Sequence, residues 1–291
     1  MDTDPRSDPK ESFVTANQLE HHLLTWDGGD KATVLCLHGF LDSAWGFAPL
    51  APALAERGYK VVAADMRGHG DTDRVGTGSS YMFFDYIFDV KELVDQLAAP
   101  RLFLVGHSMG SAVAALYTGA FPDRVERLAL LEGLAMPDRA AEDCPGLVAT
   151  WIEQVERARK RTPRVYPDVA AAADAIVRND PLCPREVALM LAVHGTRTVE
   201  GGRAFKHDPV HFAPNPYPYR HELIEPFWDA IRCKALILYG AKTEMTQPAE
   251  IEARLAHFKT ARRATIPDAA HMMIRHQPAA VAKELLELFE G

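Results

Sequence analysis

In Arg101-Leu102-Phe103-Leu104-Val105-Gly106-His107-Ser108-Met109-Gly110-Ser111-Ala112-Val113, an apolar run passes into a helical pattern across a single serine. The run reads as a buried strand, and Met109, Ala112, Val113 and Leu116 then recur at helical spacing. Gly106 and Gly110 flank the serine, and glycine lets the backbone approach closely where a strand turns abruptly into a helix. A serine at such a turn projects above the sheet. The first amides of the helix have no intrahelical acceptor and lie beneath it, where they could meet a developing negative charge.

The same alternation extends on both sides. Thr33 to Leu37, Lys60 to Ala64, Val125 to Leu131, Ala235 to Tyr239 and Ala264 to Ile266 read as strands. Helical patterns fall at about 47–57 and 86–98, and a last helix carries Val281, Leu285, Leu288 and Phe289 on one face. Strands alternating with helices predict an α/β fold with a mostly parallel sheet flanked by helices. Residues 134–229 break the alternation. Helices are expected near 148–158, 169–177 and 186–193, with no strand, followed by a Pro- and aromatic-rich loop from Phe205 to Tyr219. The chain therefore divides into a flexible segment 1–15, a first core part 16–133, an inserted helical cap 134–229 and a second core part 230–291.

A serine hydroxyl is a poor nucleophile near neutrality and needs a base that is itself oriented by an acid. For a serine on a strand–turn–helix elbow the chain order is serine, acid, histidine. Ile266-Pro267-Asp268-Ala269-Ala270-His271 places His271 in a loop before the last helix, as the candidate base. His276, beside Pro278, is its rival. Glu244 follows the strand after the cap and is the first candidate for the acid. Glu132, at the end of the strand before the cap, is the alternative, and Asp268 stands behind both. An oxyanion hole is expected from the backbone N–H groups of Met109 and of Phe40, which lies in His38-Gly39-Phe40 after the first parallel strand.

Four blocks together resemble the α/β-hydrolase superfamily: His38-Gly39-Phe40-Leu41-Asp42-Ser43, Asp65-Met66-Arg67-Gly68-His69-Gly70, Gly106-His107-Ser108-Met109-Gly110 and Ala270-His271-Met272. The likeness runs from about Leu23 to Phe289. The cap-terminal stretch and the Trp45 region resemble the serine-hydrolase-like group of esterase relatives. The resemblance implies a serine hydrolase of carboxylesterase type. The family's usual acid is an aspartate where Glu244 stands, and some relatives place the acid where Glu132 stands. Haloalkane dehalogenases and epoxide hydrolases carry an aspartate nucleophile at the elbow, and Ser108 departs from that pattern.

The chain has 291 residues, is 47% hydrophobic and carries a net charge of −8, which disfavours nucleic acid as a partner. A polar N-terminus and the absence of a long apolar run predict a cytoplasmic protein with no membrane span. Cys36, Cys144, Cys183 and Cys233 form no metal-binding spacing and read as reduced thiols. The Asp65 to Asp71 block gathers two acids and a histidine. The expectation there is a loop tied down by Asp65 and Arg67, with no metal and no cofactor. His107 reads as a packing residue. The expected partner is a small-molecule ester, with Trp45, Trp151, Tyr166 and Trp228 as candidate pocket residues. C–C bond hydrolases, lactonases and thioesterases would use the same triad, and a receptor with slow turnover could keep it.

Overall fold

In the computed structural model, residues 6–134, 138–217, 219–244 and 248–291 are described, except for the side chains of 248–251. The chain opens with β1 (Lys10–Ala16), β2 (Leu19–Asp27) and β3 (Thr33–Leu37). It continues through α1 (Ala51–Ala55), β4 (Lys60–Ala64), α2 (Phe83–Leu97), β5 (Leu102–His107), α3 (Met109–Ala120) and β6 (Arg127–Leu131). An excursion carries α4 (Cys144–Lys160), α5 (Val169–Asn179), α6 (Arg185–Gly195), β7 (Thr196–Val199), β8 (Gly202–Phe205) and α7 (His221–Ala230). The chain then rejoins the sheet through β9 (Lys234–Gly240), α8 (Pro248–Leu255), β10 (Ala261–Ile266), α9 (Met273–His276) and α10 (Pro278–Glu290).

Eight strands form one sheet in the order β1-β2-β4-β3-β5-β6-β9-β10. The pairs β1/β2 and β2/β4 are antiparallel, and every pair from β4 to β10 is parallel. The period of two sorts side chains cleanly. Leu35, Leu37, Leu104 and Leu130 enter the core layer under α2 and α3. Val34, Cys36, Phe103, Val105 and Leu131 enter the opposite layer with α1 and α10. Burying a side chain of this size contributes about 1.5–3 kcal/mol, so the central strands are firmly held from both faces. The candidate site hangs on their ends.

Three expectations need correction. Residues 10–15 are not frayed, because Lys10–Ala16 pairs along its length with β2. The turn between them places Asn17 and Gln18 at φ 47° and 62°, the left-handed geometry that a two-residue hairpin turn requires. The cap also contains a strand pair, β7 with β8. Finally, α7 belongs to the core in packing terms. Its Ile224 and Trp228 join the layer containing α3, and a Cβ at Gly119 of α3 would lie 2.3 Å from the Phe227 carbonyl oxygen.

All four cysteines are unpaired. Among the described residues, no helix is long and apolar enough to cross a membrane.

Candidate active site

Strand β5 ends at His107 and α3 begins at Met109, so Ser108 alone makes the turn. It does so at φ 53° and ψ −117°, a strained conformation for a residue with a Cβ. The space around the turn explains the glycines. A Cβ at Gly106 would stand 2.4 Å from the Gly110 carbonyl oxygen, and one at Gly110 would stand 2.1 Å from that of Leu37. Ser111 secures the turn from below, donating from Oγ to the Gly106 carbonyl at 2.5 Å and accepting from the Leu131 amide at 3.0 Å.

His271 lies in the loop between β10 and α9, with Nε2 3.0 Å from Ser108 Oγ. Its Nδ1 faces Glu132 Oε2 at 3.4 Å. Glu132 is 1% exposed. Its Oε1 accepts the Gly240 N–H at 2.7 Å and its Oε2 accepts the Thr243 hydroxyl at 2.8 Å. Because a carboxylate only accepts hydrogen bonds, Nδ1 of His271 must carry the hydrogen and Nε2 is left to accept from the serine.

The structure thus brings Ser108, His271 and Glu132 together, and not the first-named Glu244, whose side chain is exposed. Both carboxylates sit just beyond a sheet strand. Only Glu132 points inward, turned by a backbone φ of 55°. Asp268 is a surface residue paired with Lys242 at 2.9 Å. His276 is buried against Asp180 of the cap at 2.7 Å and accepts the Ala270 amide at 3.2 Å.

The loop after β3 lies directly on the elbow. A Cβ at Gly39 would sit 3.1 Å from Ser108 Cβ and 3.0 Å from His107 Nδ1, so the Phe40 amide follows immediately beside the serine. Met109 opens α3, where the first amides lack helical acceptors. Two neutral imidazoles fix the Phe40 loop. His38 donates from Nδ1 to the Gly39 carbonyl at 2.7 Å and accepts the Met66 amide at Nε2, 2.9 Å away. His69 accepts the Leu41 amide at 3.2 Å and donates to the Arg67 carbonyl at 3.0 Å. Burial, aided by the neighbouring His211 and His38, holds the His69 pKa well below its ordinary value.

His107 has a role that spacing could not reveal. Its Nε2 donates to the main-chain carbonyl of His271 at 2.8 Å. Burial first, and then His271, lower its pKa to about 4. A nitrogen already committed to a carbonyl is no second base.

The block from Asp65 to Asp71 forms the tied loop expected. Asp65 accepts from the amides of Ala44 and Asp71 at 2.6 and 2.9 Å and pairs with His22 at 2.8 Å. Burial opposes its charge, but the hydrogen bond from His22 and the other donors keep its pKa below the ordinary value. His22, Asp65 and Asp71 offer ligand atoms within 4.8 Å of one another. The Asp65 carboxylate is nevertheless surrounded by N–H donors, a set suited to an anion rather than to a cation. Arg67 forks onto Asp89 at 2.5 and 2.6 Å.

A cavity of about 540 Å³ opens between the cap and the loops carrying Phe40 and Met272. Of the four aromatic candidates, Tyr166 lines it, joined by Phe205 and Phe212. Trp228 does not. It is 2% exposed in the core and stacks on Phe258, because α7 turns its apolar face to α3. Trp45 stacks on His194 with ring centroids 3.4 Å apart, and half-buried Trp151 on α4 is not among the described lining residues. Pro218, in the Phe205 to Tyr219 loop, lies outside the described residues.

Residues 32–181 match the family model described as the alpha/beta hydrolase fold. A serine hydrolase-like protein of Dictyostelium discoideum is 26% identical over 272 residues, 88% of this chain and 75% of its own length. A serine hydrolase-like protein of Danio rerio is 30% identical over 187 residues, 63% of this chain and 57% of its own length. Among solved structures, a hypothetical protein from Pseudomonas aeruginosa PAO1 superposes with a TM-score of 0.89 at 29% identity, covering 97% of this chain and all of the other. The strained turn that delivers Ser108, and the strands β3 to β6 around it, fall within the matched residues, and the chain belongs to the α/β-hydrolase family.

Proposed function

We propose that the protein is a serine hydrolase that cleaves carboxylic esters through an acyl-enzyme on Ser108. The reading is carried by one observation: Ser108 Oγ lies 3.0 Å from His271 Nε2, and the far side of that imidazole faces the buried Glu132. In the proposed reaction His271 takes the hydroxyl proton as Oγ adds to the ester carbonyl. The resulting oxyanion rests on the N–H groups of Phe40 and Met109, each contributing about 3 kcal/mol. His271 then protonates the leaving alcohol, and a water activated by the same imidazole releases the acid and restores Ser108.

Glu132 serves as the acid. Its 3.4 Å contact is at the long end of the hydrogen-bond range, and the imidazolium formed during reaction would draw it shorter. The positive end of α3 adds to the stabilisation of the oxyanion.

A fluorophosphonate probe tests the assignment. The wild type should be labelled on Ser108 and should hydrolyse short p-nitrophenyl esters, and Ser108→Ala should do neither. Labelling that persists in Ser108→Ala would rule the mechanism out.

A further inference from the structure

The cavity beside the site, which reaches it through Phe40 and through Met272 next to His271, carries an excess of positive charge that the hydrolytic machinery does not use. Its lining includes Arg161, Arg164, Lys206 and Arg275 against Asp42 and Asp180. Two of the four basic residues are spoken for. Arg275 lies 2.9 Å from Asp42 and 3.8 Å from Asp180, while Asp180 also holds His276 at 2.7 Å. Lys206 pairs with Asp71, outside the lining.

Arg161 and Arg164 differ. Among the described residues, neither forms an ion pair with a carboxylate. Each guanidinium instead sits over an aromatic ring of the cavity wall, Arg161 at 4.8 Å from the Phe212 centroid and Arg164 at 5.1 Å from that of Tyr166. A ring face holds a guanidinium in place while leaving its N–H fork free for an oxyanion.

The surrounding sequence concentrates the effect. Within a chain of net charge −8, Arg157-Ala158-Arg159-Lys160-Arg161-Thr162-Pro163-Arg164 places five basic residues in eight positions. The field is felt nearby: burial lowers the pKa of the cavity residue His207, and Arg74 and Arg161 lower it further. A positive wall in an acidic protein favours entry of an anion and rejects a second cation.

From this the geometry points to an anion subsite formed by Arg161 and Arg164, so that the preferred ester or thioester carries a carboxylate or phosphate away from its scissile bond. The inference rests on the serine-hydrolase reading and adds the substrate class. Either anion would satisfy the same forks. A carboxylate would sit at the far end of the acyl chain, and a phosphate on the leaving group.

Two matched pairs separate these sources at low ionic strength. One is monomethyl adipate against methyl hexanoate, and the other is butyryl-4′-phosphopantetheine against butyryl-pantetheine. The readout is the ratio of kcat/KM within a pair, which is independent of the fraction of active protein in any preparation. The wild type should favour the anionic member of at least one pair by about tenfold or more. That ratio should fall toward one in Arg161→Gln/Arg164→Gln, and in the wild type at about 0.5 M KCl. A preference confined to the first pair places the anion on the acyl side, and one confined to the second places it on the leaving group. Ratios near one in the wild type, or a preference that survives the double substitution, overturn the subsite. If no substrate turns over and Ser108 is not labelled by a fluorophosphonate, the hydrolase reading fails along with it.

Discussion

His107, one residue before the nucleophile, donates its Nε2 hydrogen to the carbonyl of His271 at 2.8 Å, so the elbow grips the loop that carries the proposed base. Removing that donor should loosen the imidazole relative to Ser108 without altering the cavity. His107→Leu is expected to lower kcat by about ten- to a hundredfold with little change in KM. His107→Gln, which keeps an N–H donor in reach, should recover most of the loss. Steady-state kinetics of both variants check this, and equal defects in the two would contradict a positioning role.

The carboxylate behind His271 gives the sharpest comparison. Glu132→Gln keeps the volume but leaves an amide that cannot stabilise the imidazolium, and kcat should fall by about 10³-fold or more. Glu244→Gln alters an exposed side chain and should stay within about twofold of the wild type. The reverse order of effects would return the acid to the loop after β9.

Two aromatic residues should separate stability from recognition. Trp228→Ala empties a buried position between α7 and Phe258 and should cost about 3–5 kcal/mol in denaturant unfolding, with KM unchanged. Tyr166→Ala removes a wall of the cavity and should change the ranking of substrates with a smaller loss of stability. Parallel unfolding curves and substrate profiles would show the split.

Buried neutral histidines predict the direction of acid sensitivity. The pKa of His107 is lowered to about 4 and that of His211 to about 3, burial being the main cause in each, against an ordinary value of 6.5. Between those values the unfolded chain binds protons that the native state refuses. Stability should therefore be full above pH 6.5 and fall as pH drops toward 4, with a slope of up to about 1.4 kcal/mol per unit for each group. His22, where the cost of burial is outweighed by Asp65 and Glu11 so that its pKa is raised, has the opposite sign, but its gain on acidification is complete near pH 6.5 and leaves the loss below that pH in place. Thermal melts from pH 7 to pH 4.5 measure the balance, and a Tm that rises on acidification would contradict it.

What the sequence disclosed follows from how local each signal is. The β5–Ser108–α3 turn was legible because a change of period, two glycines and a serine fall within a dozen residues. The acid was not, because Glu132 and Glu244 both follow a strand. The difference lies in the Gly240 amide and the Thr243 hydroxyl, more than a hundred positions from Glu132. The first hairpin was obscured by an exposed strand and a turn built on Asn17-Gln18 rather than a glycine pair. Trp228 misled because an amphipathic pattern reveals that a helix has an apolar face, not which neighbour that face meets.

The register of the sheet has a consequence for how such a site can change over time. His107 is paired with Leu131 across β5 and β6, so Ser108 and Glu132 are the next residues on adjoining strands, and both leave the sheet at positive φ. The separation of nucleophile and carboxylate is thus a dimension of the main-chain ladder, insensitive to loop length. Under the proposed assignment, Glu244 is released from chemistry. It can drift in sequence while the reacting groups keep their distance.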